Sequence, residues 1–382
     1  MRCELSDICV YRNERISTNA LNSHTYVSTE NMLPDKGGIT DAASLPTVSQ
    51  TSKFRYGDTL VSNIRPYFKK IWFAEYDGGC SNDVLVFSAK EGVDPKYLYY
   101  VLANDSFFAY STATSKGTKM PRGDKTSIMQ YQIEKVDSPT QKKIAAILSA
   151  LDEKIAINRA INDNLEQQAQ SYFQELFVDN ADPEWTTGTI SDLGAVVGGS
   201  TPSKAKPEYY TESGIAWITP KDLSINKSKF VSHGENDITE LGLKNSSAAI
   251  MPEGTVLFSS RAPIGYIAVA AGEVATNQGF KSIVPKPEIG TAFVYYFLKH
   301  NLPIIEGMAS GSTFKEVSGS TMKGVPAVIP DTDTIARFND FCSPIFAQQR
   351  ILEEQNHSLA ALRDNLLPKL MSGEVDVSDI QL

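Results

Sequence analysis

Phrases from the first half of this sequence return in the same order roughly 190 residues later. Leu5-Ser6-Asp7-Ile8 is matched by Ile190-Ser191-Asp192-Leu193. Gly57-Asp58-Thr59-Leu60-Val61-Ser62 is matched by Gly254-Thr255-Val256-Leu257-Phe258-Ser259, and an arginine soon follows each, Arg65 or Arg261. Asn82-Asp83 then faces Asn277-Gln278, Tyr99-Tyr100 faces Tyr295-Tyr296, and TSKGTK at 114–119 faces SGSTFK at 310–315. No single match carries weight, but the shared order and near-constant offset indicate internal duplication. A duplicated chain of 382 residues, 41% of them hydrophobic, holds enough apolar material for two cores.

Each repeat closes on a helical segment. From Ser138 the chain reads SPTQKKIAAILSALDEKIAINRAINDNLEQQAQSYFQELF without glycine, with Ile144, Leu148, Leu151, Ile155 and Leu165 at three- and four-residue spacings. The second copy carries Ile345, Leu352, Leu359, Leu362 and Leu366, and Pro344 predicts a kink or a restarted helix near residues 340–344. Asn158, Asn162, Gln348 and Gln355 lie along these stripes, where polar residues fix the register of paired helices. Because each helix follows an equivalent domain, the pattern predicts an antiparallel intramolecular coiled coil. At about 1.5 Å per residue, the segment from Ile144 to Leu176 spans roughly 50 Å. The whole reads as an α+β chain: a mixed α/β domain at 1–138, a central helix at 139–180, a second mixed domain at 181–331, a distal helix at 332–375 and a tail at 376–382. Runs such as VLVFS at 84–88 and KSIVP at 281–285 predict strands, and the tyrosine-rich segments 95–105 and 291–301 predict short helices whose aromatic residues face the core.

The catalytic signatures are missing. His24, His233, His300 and His357 have no metal-ligand spacing, no phosphate-binding loop occurs, and LGAVVGGSTPS lacks the G-x-G-x-x-G arrangement. SNIRPYF at 62–68 departs from the Asn-Pro-Pro-Tyr motif of amino-methyltransferases, since Ile64-Arg65 intervenes and only Pro66 remains. Cys3, Cys9, Cys80 and Cys342 form no C-x-x-C pair, and MRCELSDICVYRNERIS has no apolar run of signal-peptide length, so a cytoplasmic location with no membrane association is expected. A net charge of -9 gives no global basic signature, but residues 1–138 are balanced, with 16 basic and 16 acidic side chains. That balance leaves room for a basic face. The arrangement reads as a binding module without chemistry of its own.

IAAILSALDEKIAINRAINDNLEQQAQSYFQELF at 144–177, ALRDNLLPKLMSGEV at 361–375 and the W-x-x-x-x-I-x-D-L-G-x-V-V-G-G-S-T-P-S string at 185–203 together resemble the specificity subunits of type I restriction and modification systems. The resemblance covers essentially the whole chain and implies two target-recognition domains, each reading half of a bipartite double-stranded DNA sequence, with the helices as a ruler for the gap. It also implies two methyltransferase subunits as partners, with separate restriction and translocase subunits. S-adenosylmethionine, ATP and Mg would be used by those partners, and this chain would bind no cofactor. A methylation-only subunit and a scaffold or decoy that has lost DNA binding remain alternatives. The first domain lacks the Trp and the GGSTPS phrase that open the second.

Candidate DNA contacts follow from residue chemistry. Phosphate contacts are expected from Lys116, Lys119, Arg122 and Lys125, and from Thr201, Ser203, Lys204, Lys206, Lys221 and Lys315. Base readout is expected from Arg65 and Arg261, as paired donors to guanine, and from Asn82, Asn277 and Gln278 at adenine edges.

Overall fold

The computed structural model describes residues 2–311, 315–378 and 380. The chain forms two units, Met1–Ala156 with His357–Leu382, and Ile157–Asn356.

In the first unit, Arg2–Glu4 pairs antiparallel with Gln132–Glu134 and so brings the two ends of the recognition segment together. Inside that clasp lie two four-stranded sheets. One has the order Cys9–Tyr11, Val84–Ala89, Thr59–Ser62, Ile71–Phe73; the other has Arg15–Ser17, Gln50–Phe54, Gly78–Cys80, Tyr26–Val27. Thr59–Ser62 is buried along its whole length, which is why it reads as a continuous run rather than an alternation. The helix Pro95–Ala103 begins with proline at its first turn, and the Asp94 carboxylate accepts from the Tyr97 backbone N–H. Its buried Tyr97, Leu98 and Val101 join Ile144 and Leu148 of the central helix, and Leu367 and Leu370 of the distal one, in a single core.

The second unit repeats this plan. Thr186–Thr189 pairs with Pro326–Ile329. A five-stranded sheet runs Gly194–Gly198, Lys281–Pro285, Val256–Ser260, Ile264–Ala270, Phe230–Val231, and a four-stranded one runs Tyr210–Thr211, Asn236–Ile238, Ile215–Ile218, Ala275–Thr276. One four-stranded sheet in each unit contains a parallel pair, with Val27 opposite Cys80 in the first unit and Ile218 opposite Thr276 in the second. The tyrosine-rich segments form Pro95–Ala103 and Thr291–His300, and Tyr97, Tyr100, Tyr295 and Tyr296 are all buried.

The central helix runs Ser138–Gln174 and passes into a wider turn at Glu175–Asp179. The distal helix runs Thr332–Ser372 without interruption, so the restart expected at Pro344 does not occur. Pro344 and Asp340 are both exposed, so the carbonyl that the proline leaves without a helical partner can be hydrated. In the first unit Lys143 donates to the Ser378 carbonyl at 2.5 Å and Arg363 to the Asp152 carboxylate at 2.7 Å. In the second, Asn158 donates to Asn356 at 3.0 Å, Gln349 to the Asn162 carbonyl at 3.2 Å, and the Tyr172 ring lies 4.6 Å from that of Phe341. Within each unit the partner's number falls as the central helix climbs, so the segments run antiparallel.

Among the residues expected at the helix seam, Ile144, Leu148, Ile155, Ile345 and Leu352 are buried, and Leu151, Leu165, Leu359 and Leu366 are half-buried. Leu362 is 48% exposed, and Leu367 and Leu370 take the buried places in its stead. The buried amide of the distal helix is Gln349 rather than Gln348.

Candidate nucleic-acid interface

Three loops knit together in the first unit. At the end of strand Thr59–Ser62 the chain turns through Arg65, whose φ of 51° is a left-handed conformation that non-glycine residues rarely adopt. The Arg65 N–H donates to the Pro121 carbonyl at 2.8 Å, and Ile64 and Lys116 both form bridges with Arg122. Asn63 donates its N–H to the Asp83 carbonyl at 2.8 Å and accepts from Gly123 at 3.0 Å. The loops 62–68, 81–83 and 115–125 therefore form one surface.

Charge on this surface is partly spoken for. Arg122 lies 3.2 Å from Asp83, and Lys116 pairs with Asp124. Lys116 and the Ser127 N–H hold the Asp124 carboxyl down to about 2, and Asp124 in turn caps the helix Lys125–Met129. The ammonium groups of Lys119 and Lys125 are exposed and have no acidic partner among the described residues. Asn82 accepts from Arg15 at 3.0 Å. Arg15 was not singled out in the sequence, because an arginine in the polar phrase RNERIS looks like any solvated side chain.

The same three-loop joint recurs in the second unit. Ser260 donates to the Gly279 carbonyl at 2.7 Å, Val317 donates to the Ser260 carbonyl at 3.0 Å, and Ser310 bridges Glu316 as Lys116 bridges Arg122. That register puts an acid, Glu316, where the first unit has Arg122. It also places Lys315, which is exposed, opposite Pro121 rather than Lys119. Arg261 and Lys281 both approach Glu316, at 3.4 and 3.6 Å. Thr201 donates to the Gln278 side-chain oxygen, and the Asn277 side chain accepts from the Gly279 N–H at 2.8 Å, a turn-closing role. Lys206 pairs with Glu208 and Lys221 with Glu235, while Ser203 and Lys204 are exposed.

Among the described residues no group of three or more His, Cys, Asp or Glu side chains is placed to hold a metal ion, and no helix is long and apolar enough to cross a membrane. If Lys119 contacts phosphate, Lys119→Ala should flatten the plot of log affinity against log salt by about one unit while weakening all DNA sequences alike. Anisotropy titrations of the assembled complex at several salt concentrations check this; an unchanged slope would remove Lys119 from the interface.

The sequence model of the family described as Type I restriction modification DNA specificity domain matches residues 2–167 and 183–359, one match for each repeat with its helix. The chain is 38% identical over 194 residues to the type I restriction enzyme MjaIX specificity subunit of Methanocaldococcus jannaschii, a match covering 48% of this chain and 45% of that relative. It is 24% identical over 455 aligned positions to the type I restriction enzyme HindI specificity subunit of Haemophilus influenzae, covering 97% and 98% of the two. The fold is similar to that of the crystal structure of the type I restriction-modification system S subunit from M. genitalium, with a TM-score of 0.62 at 16% identity over 97% and 96% of the chains. With the family matched across both repeats, this chain belongs to the type I restriction-modification specificity subunits, the DNA-sequence-recognising members of those systems.

Proposed function

We propose that this chain reads a bipartite DNA target, one half with each recognition domain, and presents it to two methyltransferase subunits and, where they exist, to restriction subunits. The observation that carries this reading is the recurrence of one three-loop joint on matching frames with different side chains, Arg122 in one and Glu316 in the other. Two copies of a scaffold that differ at the exposed positions suit two different half-sites. The antiparallel helices serve as the spacer: a polar pair such as Asn158 with Asn356 penalises sliding, because slippage would bury unmatched amides.

In this reading the methyl transfer, with S-adenosylmethionine, and any ATP- and Mg-dependent cleavage belong to the partner subunits, and the target base flips into a partner rather than into this chain. The domains are taken as residues 1–138 and 181–331, with helices 139–180 and 332–375 between and after them. The test is selection of bound duplexes from a random library by the complex of this chain with a compatible methyltransferase subunit. Two fixed blocks separated by an unspecified gap of constant length are expected. Retention of DNA without any preferred sequence would favour a scaffold instead.

A further inference from the structure

We propose that a groove in the first unit, built around Arg15, Asn82 and Lys125, takes the major-groove edge of a guanine; this rests on the DNA-reading role above. The groove has a volume of about 260 Å³, and Tyr11, Asn13 and Ser52 also line it.

Its chemistry follows from which hydrogen-bonding groups are already engaged. The Asn82 side-chain oxygen accepts from the Arg15 Nη1 group at 3.0 Å and from the Ser52 hydroxyl at 3.4 Å, which uses both its lone pairs and leaves only the amide NH₂, a donor. Arg15 spends two further N–H groups, one from Nη1 on the Ser52 hydroxyl at 3.4 Å and one from Nη2 on the Gln50 carbonyl at 3.3 Å; its Nε–H and a second Nη2 hydrogen have no partner among the described residues. Lys125 offers donors alone. Of the acidic and basic neighbours in the lining, Glu14 accepts from Arg12 at 2.5 Å and from Arg55 at 2.7 Å, and Arg12 is held by the Asp58 carboxylate at 2.5 and 2.9 Å. Asn13 adds an amide that offers both donor and acceptor, so the donor excess comes from Arg15, Asn82 and Lys125.

A face of donors selects a base edge of acceptors. Guanine presents two, N7 and O6, whereas adenine presents N7 beside an N6 amino group that would meet a donor head-on. A bidentate adenine contact by Asn82, the ordinary expectation for an asparagine, competes with the bonds that already hold its oxygen.

The second unit supports the placement of the site. Strand register puts Gln278 where Asn82 stands, two residues beyond the parallel pairing at Thr276 and Cys80, and the Gln278 oxygen is likewise held, here by the Thr201 hydroxyl. Both units therefore engage the amide oxygen at the same position. In the first the engaging group is a guanidinium and in the second a hydroxyl, so the guanine preference belongs to the first half-site.

The test uses the complex of the full chain with a compatible methyltransferase subunit, library-selected duplexes, and 7-deazaguanine substituted at each guanine of the selected motif in turn. Wild type should lose about five-fold or more in affinity when 7-deazaguanine occupies one particular position, within the range of a base contact. Arg15→Ala should lose base preference at that position while keeping the rest of the motif, and Arg15→Lys, which keeps the charge but loses the fork, should not restore it. Restoration by lysine would mark a phosphate contact and overturn the guanine site, as would a motif unchanged in Arg15→Ala. A wild-type complex that selects no motif overturns the DNA-reading role on which the site depends. Arg15 is exposed, so matching thermal unfolding of variant and wild type is expected.

Discussion

Replacing Lys229 with methionine is expected to destabilise the second unit by about 3–5 kcal/mol, because one member of a buried ionic cluster would be removed and its partners left behind. Lys229 is 7% exposed and its ammonium pairs with Glu166 of the central helix; it also donates to Gln349 of the distal helix at 2.7 Å and to the Tyr296 hydroxyl at 3.2 Å. The rings of Phe346 and Tyr295 lie 4.3 and 4.7 Å from the same nitrogen. Glu166 also accepts from Tyr296 at 2.9 Å and from Lys299 at 2.5 Å. Urea denaturation checks the value, and pairing Lys229→Met with Glu166→Gln should recover part of the loss, since the stranded carboxylate is then neutral. A single variant within about 0.5 kcal/mol of wild type would contradict the expectation.

Acid dependence offers a second handle on the same cluster. Burial pushes the Glu166 carboxyl up, but Lys229 and Lys299 more than offset this and hold it at about 2. A carboxylate with a depressed folded-state pKa stabilises above its unfolded value, near 4.5, and that contribution disappears as pH falls toward 2. The difference in stability between wild type and Glu166→Gln should therefore shrink across that window.

Phe338→Ala should cost about 3–5 kcal/mol, the range for emptying a buried phenylalanine site. Phe338 is fully buried on the distal helix, with ring centroids 5.3, 5.7 and 6.0 Å from Phe177, Phe173 and Tyr172 and 5.9 Å from Tyr296. The lost packing is thus shared between the helix segments and the recognition domain. Leu362→Ala, at an exposed position of the same helix, should stay within about 0.5 kcal/mol. Equal losses at the two sites, read by the same denaturation, would contradict the observed facing of the helix.

Much of this was legible from sequence because it depends on periodicity. The helical stripes, the tyrosine-bearing helices and the repeat itself are patterns that survive without coordinates. Leu362 was misplaced because heptad counting does not tell a seam residue from its neighbour once both Leu366 and Leu367 are available to fill the core. Pro344 leaves both a kink and a restarted helix open at the level of sequence, because a proline's cost depends on whether its freed carbonyl faces water, and that is a tertiary fact. The polar face was least legible. Arg15 and Asn82 are 67 residues apart and acquire meaning only through the bond between them. Glu316 could be recognised as the counterpart of Arg122 only from the paired bridges, since the two residues share no chemistry.

The most direct test of the central claim is single-molecule methylation sequencing of DNA from cells that carry a compatible methyltransferase subunit, with and without this chain. The account predicts a new methylated motif of two fixed halves with a constant gap, present only when the chain is present. No new motif, despite verified assembly of the chain with the methyltransferase, would contradict it.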